Sequence, residues 1–275
     1  MTACIVGIDG SGPSDAALRW AVTRAVTCSM PLVLVHVIED EWGLVGGDFA
    51  KEAMFAGEAV LQSAQESVRE LSSTVRLSAR ILHGGPVWEL AHSGQPDDIL
   101  VVGTHKTGFL QGRVLGSRSV SIASTARCSV MVVPAGQAHT RHGVVAGVVW
   151  APGLDRAVQS AAREAVRINE PLMLVHASPV RSDGQVDPEA VSRRRELLQR
   201  ATDVAVAAAP EVAVHTRVSS RKPADALLDA SRDATMLVLE PSRHTDPAAS
   251  LIGSTTHAVL MNINSPVLVA RNDAV

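Results

Sequence analysis

The chain has 275 residues, 46% of them hydrophobic, and a net charge of −3. That length fits one large domain or two ordinary ones of roughly 100–200 residues each, and the apolar fraction excludes a disordered chain. The charge offers no footprint for nucleic acid or an anionic membrane, and no run approaches the ~18 apolar residues of a membrane span.

The opening MTACIVGIDGSG reads as a short strand and turn without the basic, then long apolar, pattern of a signal peptide, so a cytoplasmic protein is expected. CIVGID (4–9) is the first predicted strand, and residues 14–28 carry helical spacing at Ala17, Leu18, Ala21, Val22 and Ala25. LVLVHVI (32–38) is β-branched and nearly all apolar, as in a strand buried on both faces. A longer helix is predicted over 51–72, and VRLSARIL (75–82) alternates as a strand. Pro86 opens a short helix, where its missing N–H costs nothing. DILVVG (98–103) is the next strand, 117–126 the next helix and SVMVVP (129–134) the last strand of the series.

The series then repeats. PLVLVHV (31–37) returns as PLMLVHA (171–177), and GIDGSGPSDAAL (7–18) returns as GVVWAPGLDRAV (147–158). GSRSVSIASTARCSVMVVP (116–134) returns as GSTTHAVLMNINSPVLVAR (253–271). Strands are predicted near 144–149, 171–176, 212–218, 235–239 and 266–270. The chain therefore divides into a domain over 1–136, a linker over 137–143 within the polar, Pro-led segment PAGQAHTRHG (134–143), and a second domain over 144–275. Alternating strands and helices predict an α/β fold of two tandem, doubly wound parallel sheets, Rossmann-like, with ligands beyond the strands' C-terminal ends.

Three scattered cysteines, Cys4, Cys28 and Cys128, argue against a disulfide framework or a cysteine metal site, and each is read as a buried apolar filler. There is no Tyr, and aromatics make up 3%, so a bound ring would be held by aliphatic side chains and backbone. Arg outnumbers Lys 22 to 3, a composition of GC-rich bacterial genomes.

The crevice rule selects Asp9-Gly10-Ser11, His36-Val37, Gly84-Gly85-Pro86 and the loop that begins at Gly103. That loop, GTHKTGFLQGRVLGS, has glycines at 103, 108, 112 and 116 and ends where a helix starts. A helix N-terminus offers unpaired N–H groups and partial positive charge, and glycines allow close backbone approach, so the stretch has the parts of a phosphate cradle. A flexible loop with a helix capped by Ser117 has the same glycines. Asp9 is either a ribose or adenine acceptor or a turn-forming Asp before Gly10.

These residues resemble the ATP-binding type of universal stress protein, which carries Gly-x2-Gly-x9-Gly-Ser/Thr after the fourth strand and an Asp after the first. Here Gly103 is followed by Lys106 where the second Gly belongs, then by nine residues and Gly116-Ser117. Asp9, the VHV after Pro31, Gly85-Pro86 and the closing SVMVVP also fall in family order, and the resemblance covers both halves. It implies tandem domains of the adenine nucleotide α-hydrolase-like type, with ATP, accompanied by Mg²⁺, in the first. Asp9 would meet adenine or ribose, the Val37 backbone would read the adenine edge, and Gly103 would flank the ribose and phosphates. Gly116 and Ser117 would hold the phosphates, with the 104–115 loop wrapped around them. Gly10, Ser11, Gly85, His105, Gly108, Gly112, Arg113 and Arg118 complete the candidate set. Lys106 departs from the family: it obstructs the backbone's approach, supplies a cation, or is simply solvated.

In the second half Asp9 corresponds to Val149, Gly103 to Glu240, Lys106 to Arg243 and Gly112 to Ala249, with only Gly253-Ser254 retained. ATP is therefore expected to bind there weakly or not at all. The resemblance also implies a homodimer of the tandem chain. SVMVVP and SPVLVA are candidates for pairing between the domains, since exposed edges need cover. A regulatory protein partner is expected, with no nucleic acid and no membrane.

An enzyme is not expected, although slow ATP hydrolysis stays open: no GxSxG, HExxH or paired metal-ligand spacing occurs. An ATP pyrophosphatase-like nucleotidyl transferase would carry SGGxDS after the first strand. Here Ser11-Gly12-Pro13-Ser14-Asp15-Ala16 loses an N–H at Pro13 and the hydroxyl at Ala16. The remaining alternative is a protein-interaction scaffold that binds no nucleotide.

Overall fold

Short β-branched runs alternate with helical stretches long enough to cross back over a sheet, and that alternation dictates parallel pairing. The computed structural model describes residues 2–39, 47–105, 117–136, 141–149, 154–178, 188–240 and 252–271. The chain divides into two units, 1–137 with 271–275, and 138–270.

In the first unit the elements are β1 (Cys4–Gly7), α1 (Gly12–Thr27), β2 (Leu32–Ile38), α2 (Gly47–Leu71), β3 (Leu77–His83), α3 (Pro86–His92), β4 (Ile99–Thr104), α4 (Ser117–Thr125) and β5 (Ser129–Pro134). All its strand pairs are parallel, in the order β3-β2-β1-β4-β5. In the second unit they are β6 (Val144–Gly147), α5 (Leu154–Arg167), β7 (Leu172–Ala177), α6 (Pro188–Ala208), β8 (Val214–Ser219), α7 (Pro223–Ala230), β9 (Met236–Leu239), α8 (Ser254–Met261) and β10 (Val267–Val269). They repeat the order as β8-β7-β6-β9-β10, again parallel. The predicted α/β class and doubly wound topology are both present. In each unit the strand order reverses beside the first strand, between β1 and β4 and between β6 and β9, which opens a crevice there.

The repeat extends to small details. Ser29 (φ 53°) and Asn169 (φ 55°) take the same left-handed turn after the first helix of each unit. A Cβ on Gly7 would stand 3.1 Å from Leu90, and one on Gly147 would stand 3.2 Å from Leu227. Nδ1–H of His36 donates to the Ile8 carbonyl at 2.7 Å, and that of His176 to the Val148 carbonyl at 2.9 Å.

The core lies along the central strands, where Val6, Leu32, Leu34, Leu100 and Met131 are fully buried, as are Leu172, Leu174, Met236 and Leu237 in the second unit. Each such side chain is worth roughly 1.5–3 kcal/mol of transfer free energy. Several predicted segments differ in detail. The first strand ends at Gly7 instead of running to residue 9, and α1 starts two residues earlier than predicted, at Gly12. In β2 the last three residues are only half-buried, because β1 stops opposite Val35 and leaves them to face the crevice. β3 is largely exposed instead of alternating, because it is the outermost strand of its sheet.

Of the predicted linker, residues 137–140 lie outside the described residues. Arg141 and His142 belong to the second unit: Arg141 Nη1–H donates to the Arg232 carbonyl at 3.1 Å and the His142 N–H to the Asp233 carbonyl at 2.9 Å. Arg271, predicted in the second domain, groups with the first unit, where its N–H donates to Ser129 Oγ at 3.0 Å.

Cys4 and Cys128 are fully buried, and burial pushes their thiols up to about 12 and about 11, whereas Cys28 is half-buried. The thiolate is the reactive species, so brief alkylation of the folded protein at neutral pH should label Cys28 well before the other two. Peptide mass spectrometry reads this out, and prior labelling of Cys4 would contradict the burial.

Candidate functional site

The turn between β1 and α1 is built from short polar residues. Ser11 caps α1, its Oγ accepting the Ser14 N–H at 3.4 Å, and Ser14 Oγ–H donates back to the Ser11 carbonyl at 2.9 Å. Pro13 fits the first turn, where no helical N–H is required. This helix end lies directly against the end of β4: a Cβ on Gly103 would overlap the Pro13 carbonyl and stand 2.8 Å from the Ser14 nitrogen. Gly103 is thus required by backbone packing, and that packing draws the β1–α1 turn and the end of β4 to opposite sides of one crevice.

The crevice is a cleft of about 780 Å³ above the C-terminal ends of β1, β2 and β4. On one side Asp9 Oδ1 accepts the Ser11 N–H at 2.9 Å and the Ser11 Oγ–H at 2.6 Å. Partial burial raises the Asp9 pKa, but these bonds and one from Ser14 outweigh it and hold the carboxyl below its ordinary range. Asp9 is therefore ionised at neutral pH, with Oδ2 still able to accept from a ligand.

The back wall is β2. Its Val35 carbonyl accepts the Ile8 N–H at 2.8 Å, the last main-chain bond from the β1 side. Backbone groups two residues apart on a strand point the same way. Val37 therefore presents its N–H and C=O past the end of β1, toward the cleft that it lines. At the mouth, Arg118 in the first turn of α4 donates from Nη2 to Glu39 Oε1 at 2.9 Å.

Of the predicted residues, Asp9, Ser11, Val37, Gly103, His105 and Arg118 line this cleft together. Gly10 and Gly85 are beside it but are not part of its lining: Gly10 makes the turn with φ 76°, and Gly85 caps α3 ahead of Pro86, which does line the cleft. Ser117 is the first residue of α4, and its side chain lies outside the described residues. Lys106, Gly108, Gly112, Arg113 and Gly116 also lie outside them. His36 and Thr104, which the crevice rule and the 104–115 loop had selected, line it too, whereas sequence reasoning missed Ile8, Glu39 and Ser119, and the wall supplied by Ala53, Gly57 and Val60 of α2. Of these, only the α2 wall has its own signal, small apolar residues at helical spacing. Among the described residues no group of three or more His, Cys, Asp or Glu side chains is arranged to hold a metal ion.

The corresponding place in the second unit has different chemistry. Val149 stands where Asp9 does and is 53% exposed. Glu240, at the place of Gly103, has Oε1 3.4 Å from Arg156 Nε. Gly253 and Ser254 keep their positions at the start of α8, while Arg243 and Ala249 lie outside the described residues.

A model of the universal stress protein family matches residues 1–134 and 151–271. A universal stress protein of Mycobacterium tuberculosis is 29% identical over 290 residues, covering 97% of this chain and 96% of its own. One from Mycolicibacterium smegmatis is 27% identical over 287 residues, with 97% and 96% covered. The crystal structure of a universal stress protein from Archaeoglobus fulgidus has the same fold over 98% of this chain and 97% of its own, with a TM-score of 0.72 at 19% identity.

Two measurements test the site's construction. Gly103→Ala should lose about 2–3 kcal/mol in denaturant unfolding because the backbone of α1 must move. Gly12→Ala, which meets nothing within 4 Å, should stay within about 0.5 kcal/mol of the parent or gain. Because folding lowers the Asp9 pKa, its stabilisation is complete above the ordinary carboxylate range and is lost as pH falls through the depressed folded value. The stability difference between the parent and Asp9→Asn should therefore hold at neutral pH and shrink below about pH 4. A pH-independent difference would contradict the Ser11–Asp9 arrangement.

Proposed function

The chain belongs to the universal stress protein family, and from that membership we propose that its first unit binds ATP and acts as a regulatory module in a stress or dormancy response. The observation that carries this reading is the cleft at the strand-order reversal, where Asp9, the Val37 backbone, His105 and Arg118 converge. Its volume of about 780 Å³ lies within the roughly 300–1,000 Å³ typical of small-molecule sites.

The residues fit the nucleotide in order. The Val37 N–H and C=O offer a donor and an acceptor to the adenine edge, which suits a chain without tyrosine. Asp9, kept ionised by Ser11, accepts from ribose hydroxyls. The N-terminus of α4, with Ser117 and Gly116, takes the phosphates, and the loop over 104–115 folds across them with Lys106, Gly108, Gly112 and Arg113. Mg²⁺ accompanies the phosphates and is held mainly by them and by water. Binding shifts the population of a surface that a regulatory protein reads.

The second unit is not expected to bind ATP. Val149 offers no acceptor, and Glu240 would set a negative charge beside the phosphates. Pairing of the two units through their closing strands and dimerisation of the whole chain belong to the same proposal. Their support is the tandem repeat and the general need of sheet edges for cover. The role is regulatory instead of enzymatic, in the cytoplasm. No helix among the described residues is long and apolar enough to cross a membrane.

The test is calorimetric titration of nucleotide-stripped protein with ATP and Mg²⁺, beside an Asp9→Ala, Gly116→Ala double variant. About one ATP per chain, lost in the variant, is expected. Two per chain would overturn the silent second unit. No binding at millimolar ATP would overturn the nucleotide reading and leave a scaffold that acts through its surfaces.

A further inference from the structure

The ion pair between Glu39 and Arg118 spans the mouth of the cleft and joins residues far apart in the sequence. Glu39 directly follows β2, two positions beyond Val37, and Arg118 is the second residue of α4. Their side chains meet at 2.9 Å while remaining 49% and 72% exposed, and both line the same cleft. The start of a helix attracts an anion, and a guanidinium there is suited to a phosphate. A carboxylate of the chain itself holds that guanidinium.

We infer that Glu39 is a specificity-determining residue of the cleft: its carboxylate holds Arg118 and competes with the phosphates of an entering ligand, so the site discriminates between nucleotides by phosphate charge. The inference rests on the nucleotide reading above. The physical basis is Coulombic. A ligand phosphate at the α4 end must displace Glu39 from Arg118 and then sit beside an uncompensated carboxylate, and the penalty rises with each phosphate charge. A neutral nucleoside in the same cleft does not engage Arg118 and does not incur it. Exposed pairs are weak, so the competition tunes affinity by a few-fold without closing the site. The second unit lacks this pair: Pro179 and Thr255 stand at the corresponding positions.

The test is a double-mutant cycle on Glu39→Gln and Arg118→Ala, with adenosine, AMP and ATP each titrated into the full-length protein. Glu39→Gln should bind ATP about fivefold more tightly, AMP by a smaller factor, and adenosine within about twofold of the parent. Arg118→Ala should weaken ATP and leave adenosine nearly unchanged. In the Arg118→Ala background the Glu39→Gln gain for ATP should be smaller, because part of it comes from freeing the guanidinium. Parent protein that binds ATP with no gain in Glu39→Gln would overturn this inference alone. So would an equal gain for adenosine, or an undiminished gain in the Arg118→Ala background. If neither the parent nor Glu39→Gln binds any of the three ligands, the nucleotide reading falls and this inference falls with it.

Discussion

The first unit's cleft depends on one steric fact: the backbone of α1 at Pro13 and Ser14 lies where a side chain at position 103 would be. A parallel strand and a helix start can approach so closely only if the strand contributes no Cβ. Once they do, the order of the sheet does the rest. β1 and β4 are neighbours whose connections leave in opposite directions, so the polar turn after one and the loop after the other face each other across a gap. Asp9, Ser11 and His105 owe their common location to this contact.

The second unit is a comparison within the same molecule. It has the same strand order, the same left-handed turn and the same histidine tie to a carbonyl, at Ser29 and Asn169 and at His36 and His176. Those features belong to the frame. It differs where the first unit carries chemistry: Glu240 replaces the glycine on which the close approach depends, and its carboxylate is paired with Arg156 from the first turns of α5.

Much of this was legible in the sequence, for identifiable reasons. The β-branched runs and the spacing between them specify parallel strands, and three recurrences, among them PLVLVHV with PLMLVHA, mark the repeat. Asp9, Ser11, Val37 and Gly103 follow from the rule that crevices form beyond strand ends. The reason for Gly103 was not legible: glycine spacing pointed to ligand approach, whereas the structure gives the residue a packing role against Pro13. The α2 wall was missed because small residues such as Ala53 and Gly57 announce no chemistry. Glu39 was missed because its meaning lies in a contact with Arg118, 79 residues away, and no local pattern records that.

The extension of β2 beyond β1 has a consequence for how the molecule tolerates change. At Val37 the groups facing the cleft are those of the main chain, and every residue except proline supplies the same N–H and C=O. Genetic drift can alter that side chain without erasing the donor and acceptor beside it. On the nucleotide reading proposed above, recognition through the backbone is buffered against point substitution in a way that the Asp9 carboxylate and the Arg118 guanidinium are not. Divergence within such a cleft should therefore be slowest to reach the end formed by β2 and quickest to reach the charged mouth.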